Sequence, residues 1–393
     1  MSQSEAQAVY MVHYGEIALK GRNRIDFERQ LIANLKAQYP IHRAYRLPGR
    51  IVLEGPSGLN LTKTFGVVWW SEAVRVPSDK SAIAEALLPL AEQVGDTIQT
   101  FAVRVTQGER VFEESTPHLE AEFGGLIDRA FDWRVDLSQP DRTFYIEVMR
   151  RAAYLYTQRH PGPRGLPVGA SGRLLGLFSG GVDSVLAAYL MAKRGAEIEL
   201  VHFYAMADAG QAHQAKIGAL AQALAAYLPS LKIHYFPYHL FQLATSHLVS
   251  REQRHELVLF RRFMARLAEH LAIEQGAGGL FSGDNLGQVA SQTLENLASV
   301  DLVIKLPIFR PLIAYDKVEI IDLARRLDLL EPAEVAYKDC CSILATEPST
   351  RARPEILDAL ERQIEIENLI SETLSQGETI TLRREASGEL VTT

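Results

Sequence analysis

The chain has 393 residues, 47% hydrophobic and 23% charged, with a formal net charge of −7. That length predicts two or three domains, and the composition excludes a disordered, collagen-like or coiled-coil chain. No apolar run approaches the ~18 residues of a membrane span, the N-terminus MSQSEAQAVY lacks the pattern of a secretory signal, and the acidic balance argues against binding nucleic acid by bulk charge.

In chain order, AVYMVHYG reads as a strand and DFERQLIANLKAQY as a helix with Asp26 as its N-cap. From about residue 57 a second unit follows, with strands at TFAVRVT, TFYIEVM and AAYLYTQ and a helix around HLEAEFGGLIDRAF. This half is α+β. Residues 1–165 are balanced at 20 basic and 20 acidic residues, whereas 166–393 hold 21 and 28, so any contact with phosphates is expected to be local to the first half. Arg110, Arg151 and Arg159 join the candidates for such contacts, and Tyr145, Tyr154 and Tyr156 could stack on bases, although aromatics at alternate strand positions are more often core.

The stretch His160–Gly172, with three Pro and four Gly in thirteen residues, reads as a linker. Beyond it the pattern alternates regularly: strand LLGLF, helix DSVLAAYLMAKRG, strand EIELVHFY, helix QAHQAKIGALAQALAAYL, strand KIHYFPY, helix ELVLFRRFMARLAEHLAIEQG, strand GGLFSG and helix GQVASQTLENLA. Near-continuous apolar strands between amphipathic helices predict a doubly wound α/β domain with a parallel sheet, its ligand at the carboxyl ends of the strands. A further strand-like segment, ETITLRREA, lies in the stretch read as a tail.

Between LLGLF and its helix lies Ser179-Gly180-Gly181-Val182-Asp183-Ser184. A strand, a Ser/Gly turn and a helix N-terminus present backbone N–H groups to an anion. The two glycines let the backbone approach phosphate oxygens, Ser179 and Ser184 offer hydroxyls, and Asp183 can place a magnesium ion or orient the loop. No GxxxxGK[ST] occurs, which excludes a Walker-type loop. The segment resembles the PP-loop of ATP pyrophosphatases.

Other segments select among PP-loop chemistries. His13-Tyr14-Gly15-Glu16-Ile17-Ala18-Leu19-Lys20-Gly21-Arg22-Asn23-Arg24 with Phe27-Glu28, then Gly283-Asp284-Asn285-Leu286-Gly287-Gln288-Val289-Ala290-Ser291-Gln292-Thr293, Arg310-Pro311-Leu312-Ile313 with Asp316-Lys317, and Asp339-Cys340-Cys341 with Pro348 and Thr350 resemble, in family order, the motifs of the tRNA 4-thiouridine synthetases, the ThiI family. The resemblance implies a ferredoxin-like domain (1–57), a THUMP RNA-binding domain (58–160), a linker (161–172), a PP-loop domain (173–370) and a tail (371–393), without the rhodanese domain of some members. It implies adenylation of uridine 8 of tRNA with ATP and Mg2+, then replacement of O4 by sulfur from a persulfide supplied by a cysteine desulfurase. Some members also serve thiamine thiazole synthesis.

Carried over residue by residue, the ATP site comprises Leu177, Phe178, Ser179, Gly180, Gly181, Val182, Ser184, His202, Phe203, Arg261, Gly283 and Gln292, with His202 and Phe203 flanking the adenine. His202 is also readable as a strand-end histidine with a satisfied hydrogen bond. Candidate tRNA contacts are Lys20, Arg22, Arg24, Arg104 and Arg150. Catalysis falls to Asp183, Cys340 and Cys341, with Cys340 as persulfide carrier and Cys341 as resolving thiol or spectator.

The two cysteines are the chain's only thiols, too few for a disulfide framework, and point to a reducing, cytoplasmic setting. Their adjacency gives neither zinc spacing nor the ligands of an iron–sulfur cluster, so no metal is expected from the protein alone. Val185 stands where the family usually has Pro, and Asp284 where it usually has Glu. These departures keep open a nucleotide- and RNA-binding paralogue without catalysis; a further alternative, another PP-loop adenylating ligase, would need neither the N-terminal half nor the cysteine pair. The sequence leaves the oligomeric state open, a homodimer included.

Overall fold

The computed structural model describes residues 7–95, 98–108, 110–335, 340, 344, 348–384 and 389–393. They form two compact units, divided between Gly165 and Leu166.

The first unit is built on strands β1 (Gln7–Tyr14), β2 (Arg43–Leu47), β3 (Arg50–Pro56), β4 (Val67–Val76), β5 (Thr100–Gln107), β6 (Arg134–Val135), β7 (Arg142–Val148), β8 (Ala153–Tyr156) and β9 (His160–Pro161). They make one sheet in the order β2-β3-β1-β4-β8-β7-β5-β6, with β9 beside β4. Helices α1 (Arg24–Gln38), α2 (Lys80–Glu92) and α3 (Thr116–Ala130) all pack on one side of it. Alternation along the strands explains the choice. Phe101, Val103, Phe144, Ile146 and Leu155 point toward Ile83, Leu87, Leu119 and Phe123 of α2 and α3. Tyr10, Val12 and Tyr14 share that side, and the Tyr14 hydroxyl donates to Glu28 of α1 at 2.5 Å. The opposite side carries His13, Trp69, Tyr145, Glu147, Tyr154 and Tyr156.

The N-cap expectation at Asp26 is corrected. The carbonyl of Asn23 accepts from the amides of Asp26 and Phe27, so α1 begins at Arg24 and Asp26 sits in its first turn, where a carboxylate meets the positive helix end.

In the second unit β10 (Arg173–Leu177), β11 (Glu197–Tyr204), β12 (Ser230–Pro237), β13 (Leu280–Phe281) and β14 (Ile308–Phe309) are parallel, in the order β14-β13-β10-β11-β12. The chain builds outward from β10 to β12, then returns to place β13 on the other side of β10. The gap between β10 and β13 is therefore the switch point where the loops after those strands meet. The helices are α4 (Val182–Lys193), α5 (Ala209–Ala212), α6 (Gly218–Ala225), α7 (His239–Thr245), α8 (Ser250–Gln253), α9 (Glu256–Glu274), α10 (Leu294–Asp301), α11 (Lys317–Arg326) and α12 (Leu330–Glu334), followed by helices Pro354–Gln363 and Ile366–Ser375.

Two expected helices differ in detail. The stretch 211–228 is interrupted by a π-helical turn at His213–Ile217. In 287–298 a 3₁₀ turn at Ala290–Gln292 precedes α10, whose start is set by the Thr293 hydroxyl accepting from the Asn296 amide. The wholly parallel sheet expected from the sequence gains an antiparallel edge. β15 (Glu378–Arg384) pairs with β12 from Ser230↔Arg383 to Tyr235↔Glu378, and β16 (Leu390–Thr392) pairs with β15. β15 follows directly on the helix Ile366–Ser375, and its short polar–apolar alternation is the pattern of an antiparallel edge strand with one face open.

Leu382 of β15 is fully buried. Leu382→Ala is expected to destabilise the second unit by about 2–5 kcal/mol, the range for a buried leucine truncated in a core. Denaturant unfolding checks this, and an unchanged midpoint would show that the terminal strands add nothing to the core.

Candidate nucleotide site

The loop after β10 turns on Gly180, whose φ of +83° is left-handed, and a Cβ there would lie 2.5 Å from Cδ1 of Ile217 in the π-helical turn. Conformation and space both demand glycine. The Gly181 amide donates to Ser179 Oγ at 3.2 Å, and the Gly181 carbonyl accepts from the Ser184 amide at 3.1 Å and from Ser184 Oγ at 2.8 Å. These bonds fix the start of α4, whose first-turn amides and dipole face the switch point. The loop after β13 closes on it: a Cβ on Gly283 would lie 2.6–2.8 Å from backbone atoms of Asp183 and Ser184.

Around this contact lies a cavity of ≈ 420 Å³. Leu177, Phe178, Val201, Phe203, Phe260 and Met264 make an apolar end. Ser179, Asp183, Ser184, Arg261, Gly283, Asp284, Gln288 and Gln292 make a polar one. Such a size and division suit a ligand with a flat apolar part and a charged part. Cys340, 4% exposed, lines the same cavity, its Sγ 3.1 Å from the Phe203 carbonyl oxygen.

Asp284 organises the polar end. Its carboxylate accepts from Arg261 at 2.6 Å, Ser282 Oγ at 2.7 Å, Gln292 at 3.2 Å and Arg310 Nε at 3.3 Å. Arg310 also grips Asp301 at 2.5 Å. Burial alone would raise the Asp284 pKa, but the Arg261 guanidinium, then Ser282 and Arg310, outweigh it and hold the group down at about 2. The shorter Asp therefore still reaches both arginines. Val185, the other departure from the family pattern, is fully buried in α4 and lines no part of the cavity. Asp183 is held differently, by Lys317 Nζ at 2.8 and 2.9 Å and by Gln288 Nε2 at 3.4 Å.

The structure thus brings Leu177, Phe178, Ser179, Asp183, Ser184, Phe203, Arg261, Gly283, Gln292 and Cys340 onto one cavity, framed by Gly180, Gly181 and Val182. The His202 side chain is not among its walls. Strand alternation sends Val201 and Phe203 into the cavity and His202 to the other face of β11, where its Nδ1 lies 2.7 Å from the Phe178 carbonyl oxygen and its ring meets Tyr235 edge-on. The His202 side chain therefore ties the end of β10 to β11. Cys341 and Asp339 lie outside the described residues. Among the described residues no cluster of three or more His, Cys, Asp or Glu could hold a metal ion.

The candidate RNA contacts do not converge. Lys20, with its ammonium 4.9 Å from the Phe27 ring, Arg22 and Arg24 lie at or just before the start of α1. Arg104 donates to the Leu137 carbonyl at 2.6 Å. Arg150 lines a separate cavity of ≈ 410 Å³ together with Arg43, Arg75 and Arg151. Sequence reasoning left Lys317, Phe260 and Met264 without a site role. Lys317 stood in a quoted motif, but its pairing with Asp183 spans 134 positions, and the other two sit on a helix whose apolar pattern reads only as core.

The family model described as "Thiamine biosynthesis protein (ThiI)" matches residues 169–366. Those for the ThiI ferredoxin-like domain and the THUMP domain match 9–71 and 78–158. The chain is 36% identical over 380 residues to a probable tRNA sulfurtransferase of Thermus thermophilus, covering 94% of this chain and 92% of that one. It is 34% identical over 386 residues to a probable tRNA sulfurtransferase of Moorella thermoacetica, covering 96% and 98%. Among solved structures, a 4-thiouridine synthetase–RNA complex with bound ATP superposes with a TM-score of 0.86 at 30% identity, covering 98% of this chain and all of that one.

Asp284→Asn is expected to cost about 3–5 kcal/mol at pH 7, because it leaves two arginines without their shared buried carboxylate. The native contribution is complete above the unfolded aspartate pKa of about 3.9 and fades as pH falls toward about 2, so the deficit shrinks across that window. Denaturant midpoints of both proteins between pH 7 and pH 3 test this, and equal stability at pH 7 would refute it.

Proposed function

The chain belongs to the ThiI family, and from that membership we propose that it is an ATP-dependent tRNA sulfurtransferase that makes 4-thiouridine at position 8 of tRNA. The observation that carries the proposal is that a glycine turn at a helix N-terminus and a cysteine thiol share one cavity. An adenylating ligase of another kind has no use for a thiol there.

The residues divide the work by their positions. Gly180, Gly181 and the first turn of α4 hold the pyrophosphate part of ATP, where negative charge gathers as it leaves. Arg261, fixed by Asp284, faces the nucleotide from α9. Phe203, Phe260 and Leu177 receive the adenine. Asp183 is the loop carboxylate that would hold a magnesium ion, and such an ion would neutralise phosphate charge.

Uracil O4 attacks the α-phosphorus, pyrophosphate departs, and O4 becomes part of an AMP leaving group. Cys340 carries a persulfide received from a cysteine desulfurase. Its terminal sulfur attacks C4, the C4–O4 bond breaks and AMP leaves with the oxygen. A second thiol then attacks the S–S bond, leaving sulfur on C4 and a disulfide on the protein. Cys341 is the chain's other thiol. A persulfide suits this role because it is ionised near neutral pH to a greater extent than a thiol of pKa ~8.5.

Purified protein incubated with ATP, unmodified tRNA, cysteine and a desulfurase is expected to release pyrophosphate and to generate the near-ultraviolet absorbance of 4-thiouridine. Cys340→Ser is expected to abolish thiolation while preserving ATP binding. Thiolation by the variant would overturn the sulfur assignment, and absence of both products with the native protein would overturn the activity.

A further inference from the structure

We propose that Ile217, His213 and Tyr235 are positioning residues for the glycine loop after β10. The π-helical turn at His213–Ile217 braces Gly180 from outside the nucleotide cavity, and the bond between His213 and Tyr235 holds that turn in place. That the loop receives the phosphates of ATP is the reading proposed above; the brace itself rests on other residues.

The need for a brace follows from the sequence. Gly180 and Gly181 are consecutive, and glycine loses more conformational freedom on folding than any other residue. Amides that stabilise an anion contribute most when their direction is fixed before it arrives. Without side chains of their own, the two glycines take that direction from their neighbours. The loop after β13 supplies one neighbour, against Asp183 and Ser184. Ile217 supplies another: it is fully buried, and its Cδ1 fills the space that a Cβ on Gly180 would enter.

Ile217 reaches Gly180 because its helix widens there. α5 starts on Asp208, whose carboxylate accepts from the Gln211 amide at 2.8 Å, and α6 continues from Gly218. Between them the π-helical turn brings the His213 carbonyl so close to Gly218 that a Cβ on residue 218 would overlap its oxygen. Gly218 thus permits the turn. Single π turns inside helices are rare and occur often at functional sites. Here the turn gives one helix two contacts. Ile217 meets Gly180, and four positions earlier His213 meets β12, its Nδ1 2.7 Å from the Tyr235 hydroxyl oxygen.

Tyr235 is fully buried and joins the turn to the near end of the same loop. Its register partner on β11 is His202. Both histidine rings meet the Tyr235 ring edge-on with centroids 5.8 Å apart, at 75° for His202 and 83° for His213. A carbonyl can only accept, so His202 donates from Nδ1 to Phe178 at 2.7 Å. The residues on either side of Ser179 are therefore held by one cluster, Phe178 through His202 and Gly180 through Ile217. Burial holds the His213 pKa below its usual value, so the ring is neutral at pH 7 and its Nδ1 can accept the Tyr235 hydroxyl.

The test uses the full chain without RNA or a sulfur donor. It measures amide hydrogen exchange of residues 179–184 in the ligand-free protein, and binding of ATP with magnesium and of adenosine. Tyr235→Phe, which keeps the ring, and Ile217→Ala are each expected to speed that exchange and to weaken ATP binding by roughly 10-fold, the equivalent of one lost hydrogen bond to a charged group, while adenosine binds as before. His213→Asn, which places a polar atom near the position of Nδ1, is expected to retain ATP binding, and His213→Ala to lose the same 10-fold. Denaturant midpoints identify the variants that are folded. Native exchange and native ATP binding in folded Tyr235→Phe and Ile217→Ala would overturn the brace. Equal losses for ATP and adenosine would overturn the positioning role, because a general loosening of the unit produces them. Equal losses in His213→Asn and His213→Ala would overturn the bond to Tyr235. A native protein that binds no ATP would instead overturn the nucleotide reading, and the exchange of residues 179–184 would still decide the brace.

Discussion

The second unit depends on one close approach of two loops at the sheet's switch point. Gly180 accepts a backbone conformation that a side chain would strain, and Gly283 brings the loop after β13 against the backbone of Asp183 and Ser184. With larger residues at these points the loops would separate, and the start of α4 would lose one wall of its surroundings. The glycine content of this segment is thus a geometric condition for placing unpaired amides at a pocket, in the way helix N-termini commonly receive anions.

The cavity combines two environments that a single strand pair supplies. Alternation along β11 points Val201 and Phe203 inward and turns His202 to the far side. The same Phe203 whose ring borders the cavity accepts the Cys340 thiol at its carbonyl. The Cys340 sulfur is therefore held against Phe203 at the apolar part of the lining, while Asp284 and its arginines shape the polar part. Carbonyl contact and burial orient the thiol.

The alternation of apolar strands with amphipathic helices made the second unit's parallel sheet legible, and the Ser/Gly turn made legible the glycine loop that leads into α4. Pattern reading failed where the deciding fact was a contact between distant segments. Nothing local marks Lys317 as the partner of Asp183, or β15 as the neighbour of β12. It failed at Asp26 because two capping residues stand three positions apart and Asn23 takes the role. The hydrogen bond of His202 was legible from its place at a strand end, and period-two alternation from Phe203 puts its side chain on the other face of β11. Tyr145, Tyr154 and Tyr156 of the first unit were ambiguous for a deeper reason: an aromatic on alternate strand positions looks the same whether its side of the sheet is covered or open.

The charges around the nucleotide cavity come close to cancelling. Asp183 faces Lys317, and Asp284 with Asp301 faces Arg261 with Arg310. The unit that contains them holds 28 acidic residues against 21 basic ones. A polyphosphate therefore meets no surplus of side-chain charge, and long-range attraction cannot carry its binding. What remains is short-ranged: oriented amides at the start of α4 and a guanidinium whose direction is set by its carboxylate. Such a site favours a ligand whose phosphates fit the turn over anions in general, since each donor is fixed before the ligand arrives. The same short range applies to the arginines of the first unit in a chain that is acidic overall. Screening over about 8 Å at physiological salt confines their effect to what touches them. Local arrangement, and not net charge, then decides where a phosphate can be held on this chain.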